Sequence, residues 1–270
     1  MERINNANDT VESAESYFNK GNALLDQEDY ASAILAYDKA LDLNPNLANA
    51  YFKRGVAKGR IGQYFEAISD YDAVIRLDPN HAKAYYNRGF TKGRIGQYFE
   101  AISDYDAAIR LNPNDADTYN NRGISKSKLG HPEAAILDYD AAIRLNPDDA
   151  SAYYNRGNAK DEIGQYFEAI SDYDAVIRLN PNDVDAYNNR GVSKSKLGHP
   201  KAAILDYDAA IQFNPDDVKA YYNRGNAKEK LGLTDDAKRD FQTSLNLAEK
   251  MENEELKSRI MKRLENLETG

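Results

Sequence analysis

"AYYNRG" occupies residues 84–89, and the same six residues return at 152–157 and 220–225, each time 68 residues further on. Fixed spacing of this kind marks an internal repeat, and the terminal glycine of the hexapeptide reveals the shorter period beneath it. Gly21, Gly55, Gly89, Gly123, Gly157, Gly191 and Gly225 follow one another every 34 residues with no insertion or deletion. Other columns fall into register. Tyr stands four residues before each Gly (Tyr17, Tyr51, Tyr85, Tyr119, Tyr153, Tyr187, Tyr221) and Ala stands twelve after it, from Ala33 to Ala237. Sixteen after it comes an aromatic (Tyr37, Tyr71, Tyr105, Tyr139, Tyr173, Tyr207, Phe241), and twenty-four after it comes Pro in six units, with Glu249 in the last. The expected organisation is a polar leader at 1–13, seven units at 14–47, 48–81, 82–115, 116–149, 150–183, 184–217 and 218–251, and a tail at 252–270.

Each unit predicts two helices. Tyr, Gly and the residue three after Gly share one helical face, and the missing side chain of Gly lets a neighbouring helix come close. A short break follows, such as "IGQY" at 61–64 or "LGHP" at 129–132, and Pro132 and Pro200 sit where proline suits a helix start. The second helix carries Ala, an aromatic and a small residue at i, i+4 and i+7, as in Ala101, Tyr105 and Ala108. It stops at "LNP" or "LDP", because proline disfavours helix in the residue before it. No strand-like alternation is present. Longer shared blocks, "IGQYFEAISDYDA" in three units and "SKSKLGHP" in two, point to a duplicated pair of repeats and explain the 68-residue spacing.

This pattern, kept in register over residues 14–251, resembles the tetratricopeptide repeat (TPR) family. The resemblance implies an all-α, right-handed superhelical solenoid whose first helices line a concave groove. Such repeats bury their cores only against neighbours, so the array is expected to behave as one domain. In the tail, Leu256, Ile260, Leu264 and Leu267 form one apolar stripe, which predicts a C-terminal capping helix.

Composition excludes several classes. The chain has 270 residues, 20 Tyr, no Trp and no Cys, so disulfides and thiolate metal sites are ruled out. Its apolar runs are far shorter than the roughly 20 residues of a membrane span. The opening "MERINNANDT" has no apolar stretch, and the expectation is a cytoplasmic protein. The net charge of −9 argues against nucleic-acid or acidic-membrane partners. His81, His131 and His199 fall in turns, no HExxH or phosphate-loop spacing occurs, and no catalytic residue, metal site or cofactor is expected.

Charge is organised by column. Arg precedes Gly in six units (Arg54, Arg88, Arg122, Arg156, Arg190, Arg224) and Lys follows it by three in six (Lys58, Lys92, Lys126, Lys160, Lys194, Lys228). Asp precedes the second-helix aromatic in the same six (Asp70, Asp104, Asp138, Asp172, Asp206, Asp240). The first unit has Lys20, Leu24 and Ala36 at these places, so the three substitutions go together. Two readings are open: an Arg–Asp seam between helices, or an Arg row facing the groove. The first fourteen residues of the seven units sum to +14 and the remaining twenty to −20, which fits either two layers that neutralise one another or a basic groove with an acidic back.

In the family, the position two before Gly faces the groove, where this chain has Asn19, Lys53, Asn87, Asn121, Asn155, Asn189 and Asn223. A similar Asn ladder in the repeat region of O-linked N-acetylglucosamine transferase binds extended peptide, since an amide offers a donor and an acceptor to a peptide backbone. The alternative is that each Asn merely caps or solvates its helix. Phe52, Val56, Tyr86 and Phe90, with Arg60 and Arg94, form the most apolar groove segment, an aromatic pocket flanked by cations; packing between neighbouring helices is the competing account. Chaperone adaptors of the family carry a carboxylate clamp, of which Asn158, Asn189 and Lys219 match while Tyr154 and Asn223 depart. The expected function is a non-enzymatic scaffold that binds an extended acidic peptide in the groove. Self-assembly through the terminal faces or the groove is the alternative.

Overall fold

The structure, a computed structural model, describes residues 13–269; most of the expected leader, residues 1–12, lies outside them. Fifteen helices and no strand are found among the described residues. The first helices of successive repeats are α1 (Ala14–Asp26), α3 (Ala48–Arg60), α5 (Ala82–Arg94), α7 (Ala116–Lys128), α9 (Ala150–Glu162), α11 (Val184–Lys196) and α13 (Val218–Lys230). The second helices are α2 (Tyr30–Leu43), α4 (Tyr64–Leu77), α6 (Tyr98–Leu111), α8 (Pro132–Leu145), α10 (Tyr166–Leu179), α12 (Pro200–Phe213) and α14 (Thr234–Lys250), and α15 (Glu254–Thr269) follows. The protein is an all-α repeat solenoid.

Two compact units divide the chain between Leu129 and Gly130, inside the fourth repeat. A chain stabilised by nearest-neighbour contacts has no privileged place to divide. In the first unit α1, α3 and α5 each pack on their own second helix and also on the next first helix, α1 on α3, α3 on α5 and α5 on α7. In the second unit α9 packs on α11 and α11 on α13 in the same way. Among the described residues, consecutive second helices do not pack on one another to that extent, so the first-helix face is the closed-in side of each unit.

The repeat glycines allow the close approach. A Cβ built on Gly157 would lie 2.9 Å from Cε1 of Tyr173, so no other residue fits without displacing the ring. The aromatic column it contacts is buried throughout: Tyr71, Tyr105, Tyr173 and Tyr207 are each 2% exposed or less. Each such ring removes on the order of 200 Å² from water, roughly 5 kcal/mol before entropic costs. The turn joining the two helices of a repeat needs one left-handed residue. Gly62 holds it at φ 81°, and the other repeats use Gly as well, except the first, where Glu28 is forced to φ 60°. The second helices of the first six repeats end in extended residues before proline, as Asn112 does at φ −138°, ψ 90°. Ile260 of α15 is fully buried against Val218, Tyr222 and Phe241, with Leu256, Leu264 and Leu267 packed around it.

Candidate functional site

Most of the columnar charge is consumed within the fold. Arg54 donates from Nε and Nη2 to the two oxygens of Asp70, at 3.0 and 2.6 Å, a bidentate pair across the hairpin. Lys58 Nζ lies 2.8 Å from the same carboxylate, which is buried. The same triad recurs as Arg88, Lys92 and Asp104, as Arg156, Lys160 and Asp172, as Arg190, Lys194 and Asp206, and as Arg224, Lys228 and Asp240. The column is therefore a seam between the two helices of a repeat.

The seam has a second partner that the column reading missed. Nη1 of Arg54 reaches back to Asp38 of the preceding repeat at 2.5 Å, and Arg88, Arg122, Arg156, Arg190 and Arg224 do the same to Asp72, Asp106, Asp140, Asp174 and Asp208. The signal was present, since Asp follows the second-helix aromatic in these six repeats. Each Arg also lies over the ring of the Tyr three residues earlier, as Arg54 does over Tyr51 at 5.3 Å. Burial alone would lower the Arg54 pKa, but the bonds to Asp70 and Asp38 more than offset it and the net direction is up. At least eleven first-helix cations are thus matched by second-helix aspartates. Much of the layer charge seen in the sequence is internal to the fold.

Two cations outside the seam, Arg60 and Arg94, share one cleft in the first unit. The helices α3, α4 and α5 enclose a cleft of about 450 Å³ lined by Val56, Gly59, Arg60, Tyr64, Tyr71, Tyr86, Asn87, Phe90, Thr91 and Arg94. Tyr86 and Phe90 lie nearly parallel with centroids 6.4 Å apart, one turn from each other on α5. Arg60 and Arg94 end α3 and α5, are exposed, and have no carboxylate within ion-pair distance among the described residues. Arg94 Nη2 donates to the Tyr64 hydroxyl at 3.4 Å. Burial, with Asp117 and Asp115 nearby, pushes the Tyr86 hydroxyl up to about 12. The arrangement can hold an anion at its rim and an apolar group between its rings.

Of the sequence-selected residues, the structure brings Val56, Arg60, Tyr86, Asn87, Phe90 and Arg94 together here. Phe52 does not line the cleft; its ring packs 6.0 Å from Tyr71 and 5.0 Å from His81. Gly59, Tyr64, Tyr71 and Thr91 were missed. A signal existed in the tripeptide KGR at 58–60 and 92–94, which only the second and third repeats carry.

The Asn column proves to be partly engaged between repeats. Asn121 Nδ2 donates to the Tyr86 hydroxyl at 3.1 Å and to its own helix at Asp117 O. Asn189 Nδ2 donates to the Tyr154 hydroxyl and to Asn158 Oδ1, Asn223 Nδ2 to Asn188 Oδ1, and Asn87 Nδ2 to Lys83 O. Their amide donors join consecutive first helices or turn back on the helix. Asn19 is exposed on α1, and Lys53 is half-buried on α3. Asn155 has partners of its own.

The clamp match does not assemble a cation site. Asn158 Oδ1 already accepts from the Tyr173 hydroxyl at 2.8 Å and from Asn189 at 3.0 Å. The carboxylate of Asp161 lines the same small cavity of about 100 Å³, while Lys219 is exposed elsewhere on α13. Among the described residues no group of three His, Asp or Glu could hold a metal, and no helix is long and apolar enough to cross a membrane.

Comparison with known proteins places this geometry. A model described as TPR repeat matches residues 21–62, 60–96, 93–130 and 196–232, and models described as tetratricopeptide repeat match 120–184, 173–204 and 218–251. The chain belongs to the tetratricopeptide repeat family, whose members bind peptide or protein partners. Among solved structures it is similar to YrrB, described as a TPR protein with an unusual peptide-binding site, at 28% identity and TM-score 0.62 over 68% of this chain and 95% of that one. A MamA structure aligns at 31% identity and TM-score 0.58 over 60% of this chain and 95% of that one. The C-terminal part of a TPR repeat-containing protein from Cytophaga hutchinsonii shares the fold at 21% identity and TM-score 0.73, over 85% and 95% of the two chains. No curated protein matches the chain.

Proposed function

We propose that this protein is a non-enzymatic scaffold that binds an extended acidic peptide along the first-helix face, anchored in the cleft between α3 and α5. The observation that carries this reading is the contrast between the two sets of arginines. Those of the seam are held by carboxylates on both sides, whereas Arg60 and Arg94 stand without one beside Tyr86 and Phe90. A rim cation next to the exposed Phe90 and the half-buried Tyr86 steers an acidic, partly apolar chain and gives it an anchor. The remaining Oδ1 groups of Asn87 and Asn121 lie along the same face, ready to accept from backbone N–H groups of the bound chain. The likeness to YrrB, a protein described as having a peptide-binding site, supports the same reading.

The test uses three fluorescein-labelled twelve-residue peptides, one rich in Glu with Phe and Leu, one with Lys in place of Glu, and one with Gln. Fluorescence polarisation should rank the acidic peptide first, with affinity falling as salt rises. The double reversal Arg60→Glu and Arg94→Glu should abolish that preference. Equal binding of all three peptides, or no effect of the reversal, removes the reading.

A further inference from the structure

We propose that the cleft between α3 and α5 recognises one carboxylate carried on an apolar residue, with the Tyr71 hydroxyl, Arg60 and Arg94 as its donors and Gly59 as the opening that admits it. This rests on the peptide reading above and gives its anchor a chemistry.

The cleft holds a hydroxyl that lacks a hydrogen bond its counterparts make. In the first repeat the buried column tyrosine is satisfied: the Tyr37 hydroxyl donates to Asn22 Oδ1 at 3.0 Å. In the fifth, the Tyr173 hydroxyl donates to Asn158 Oδ1 at 2.8 Å. Both acceptors sit one residue after the repeat glycine, and in the second repeat that place is Val56. Tyr71, only 2% exposed, therefore has no hydrogen-bond partner among the described residues, and it lines the cleft. Tyr105 and Tyr207 lie beside Phe90 and Val192 in the same register, but of the three only Tyr71 lines this cleft with the two arginines. Burial pushes the Tyr71 hydroxyl well above its ordinary pKa, outweighing the opposite pull of Arg60, so it is a neutral donor at physiological pH.

The second observation is Gly59. A Cβ built there meets nothing within 4 Å, so no packing contact requires glycine, unlike Gly55 four residues earlier, whose Cβ would meet Tyr71 at 2.9 Å. Glycine costs helix stability relative to alanine, and here it leaves the wall of the cleft open beside Arg60. Two guanidinium groups without a carboxylate and a hydroxyl without an acceptor need the same thing, an anionic oxygen pair. The walls of Val56, Tyr86 and Phe90 want an apolar body next to it. A carboxylate could come from a chain end or from an acidic side chain.

The experiment titrates the full chain, followed by NMR, with three small probes. N-acetyl-phenylalanine presents a chain-end carboxylate, acetyl-Glu-Phe-amide presents a side-chain carboxylate, and N-acetyl-phenylalaninamide presents none. At least one carboxylate probe should bind about fivefold or more tighter than the amide, and the better of the two identifies the source. Tyr71→Phe should weaken carboxylate binding more than amide binding and so reduce that preference about threefold to tenfold. Gly59→Ala, which keeps the helix, should weaken the carboxylate probe as well. Equal binding of all three probes, or a preference untouched by Tyr71→Phe, overturns the pocket. If the acidic twelve-residue peptide still binds in that case, the peptide reading survives alone; if neither peptide nor probe binds, both fall.

Discussion

Nη1 of Arg88 lies 2.6 Å from Asp72 Oδ1, in the preceding repeat, while the rest of the same guanidinium holds Asp104 in its own. One planar group thus closes a hairpin and joins two hairpins. The two carboxylates differ sharply in exposure, 54% for the side chain of Asp72 and 5% for that of Asp104. Their removal should therefore differ too. Arg88→Ala strands a buried carboxylate with Lys92 alone and should cost about 2–4 kcal/mol, whereas Asp72→Ala should cost less than about 1 kcal/mol. Urea denaturation of the two single variants and the double variant measures the coupling, and additive losses would deny that the reach-back contact matters.

Gly157→Ala and Gly59→Ala are the same substitution in two environments. The first drives a methyl into Tyr173 and should destabilise by about 1–3 kcal/mol. The second adds a methyl to open space in a helix and should stabilise by up to about 1 kcal/mol. Opposite shifts of the urea midpoint are the expected result.

Glu28 holds φ 60° where the other repeats have glycine. Glu28→Gly should relieve this strain and raise stability by about 0.5–1 kcal/mol, read as a higher melting temperature. A lower melting temperature would mean that the side chain of Glu28 contributes more than its backbone costs.

Removing residues 252–270 uncovers Val218, Tyr222 and Phe241, which now pack on Ile260. The truncated chain should associate or aggregate as its concentration rises, which light scattering behind size exclusion detects. A monomer with an unchanged melting curve would show that α15 is dispensable.

Alkaline pH should unfold the protein in a narrow range. Burial holds Tyr37, Tyr71, Tyr105, Tyr173 and Tyr207 well above the ordinary tyrosine pKa. A pKa raised in the folded state contributes stability that is whole below the unfolded value near 10 and is lost as pH climbs past it. Tyrosine ionisation followed at the phenolate absorbance should show exposed rings titrating first and the buried column titrating only with loss of helix.

The repeat period, the helix pairs and the Arg–Asp seam were legible because each is a column, and the first unit changes all three seam positions at once. The reach of Arg54 to Asp38 was not, because it crosses from one repeat to the next and depends on how hairpins stack. Phe52 departs from its expected place for a related reason: helical spacing puts it beside Val56, but its ring turns toward Tyr71 and His81. Tyr71 reads as a core residue in its column and belongs to both core and cleft, since the valine at 56 in place of asparagine frees its hydroxyl. The Asn column is visible as a row, but its bonds to Tyr86 and Tyr154 require the neighbouring helix.

The reach-back contact also gives the array a grammar. Every interior repeat supplies an arginine to the repeat before it and an aspartate to the repeat after it. The first repeat has Lys20 where that arginine would be, and the seventh has Gln242 where that aspartate would be. Interior repeats are thus interchangeable words, while the first and last are punctuation. A 34-residue or 68-residue cassette cut from the middle and pasted back between interior repeats finds both of its partners waiting. The same cassette fused before Lys20 or after Gln242 finds one of them missing. Gene duplication could lengthen such a chain from within far more readily than from its ends.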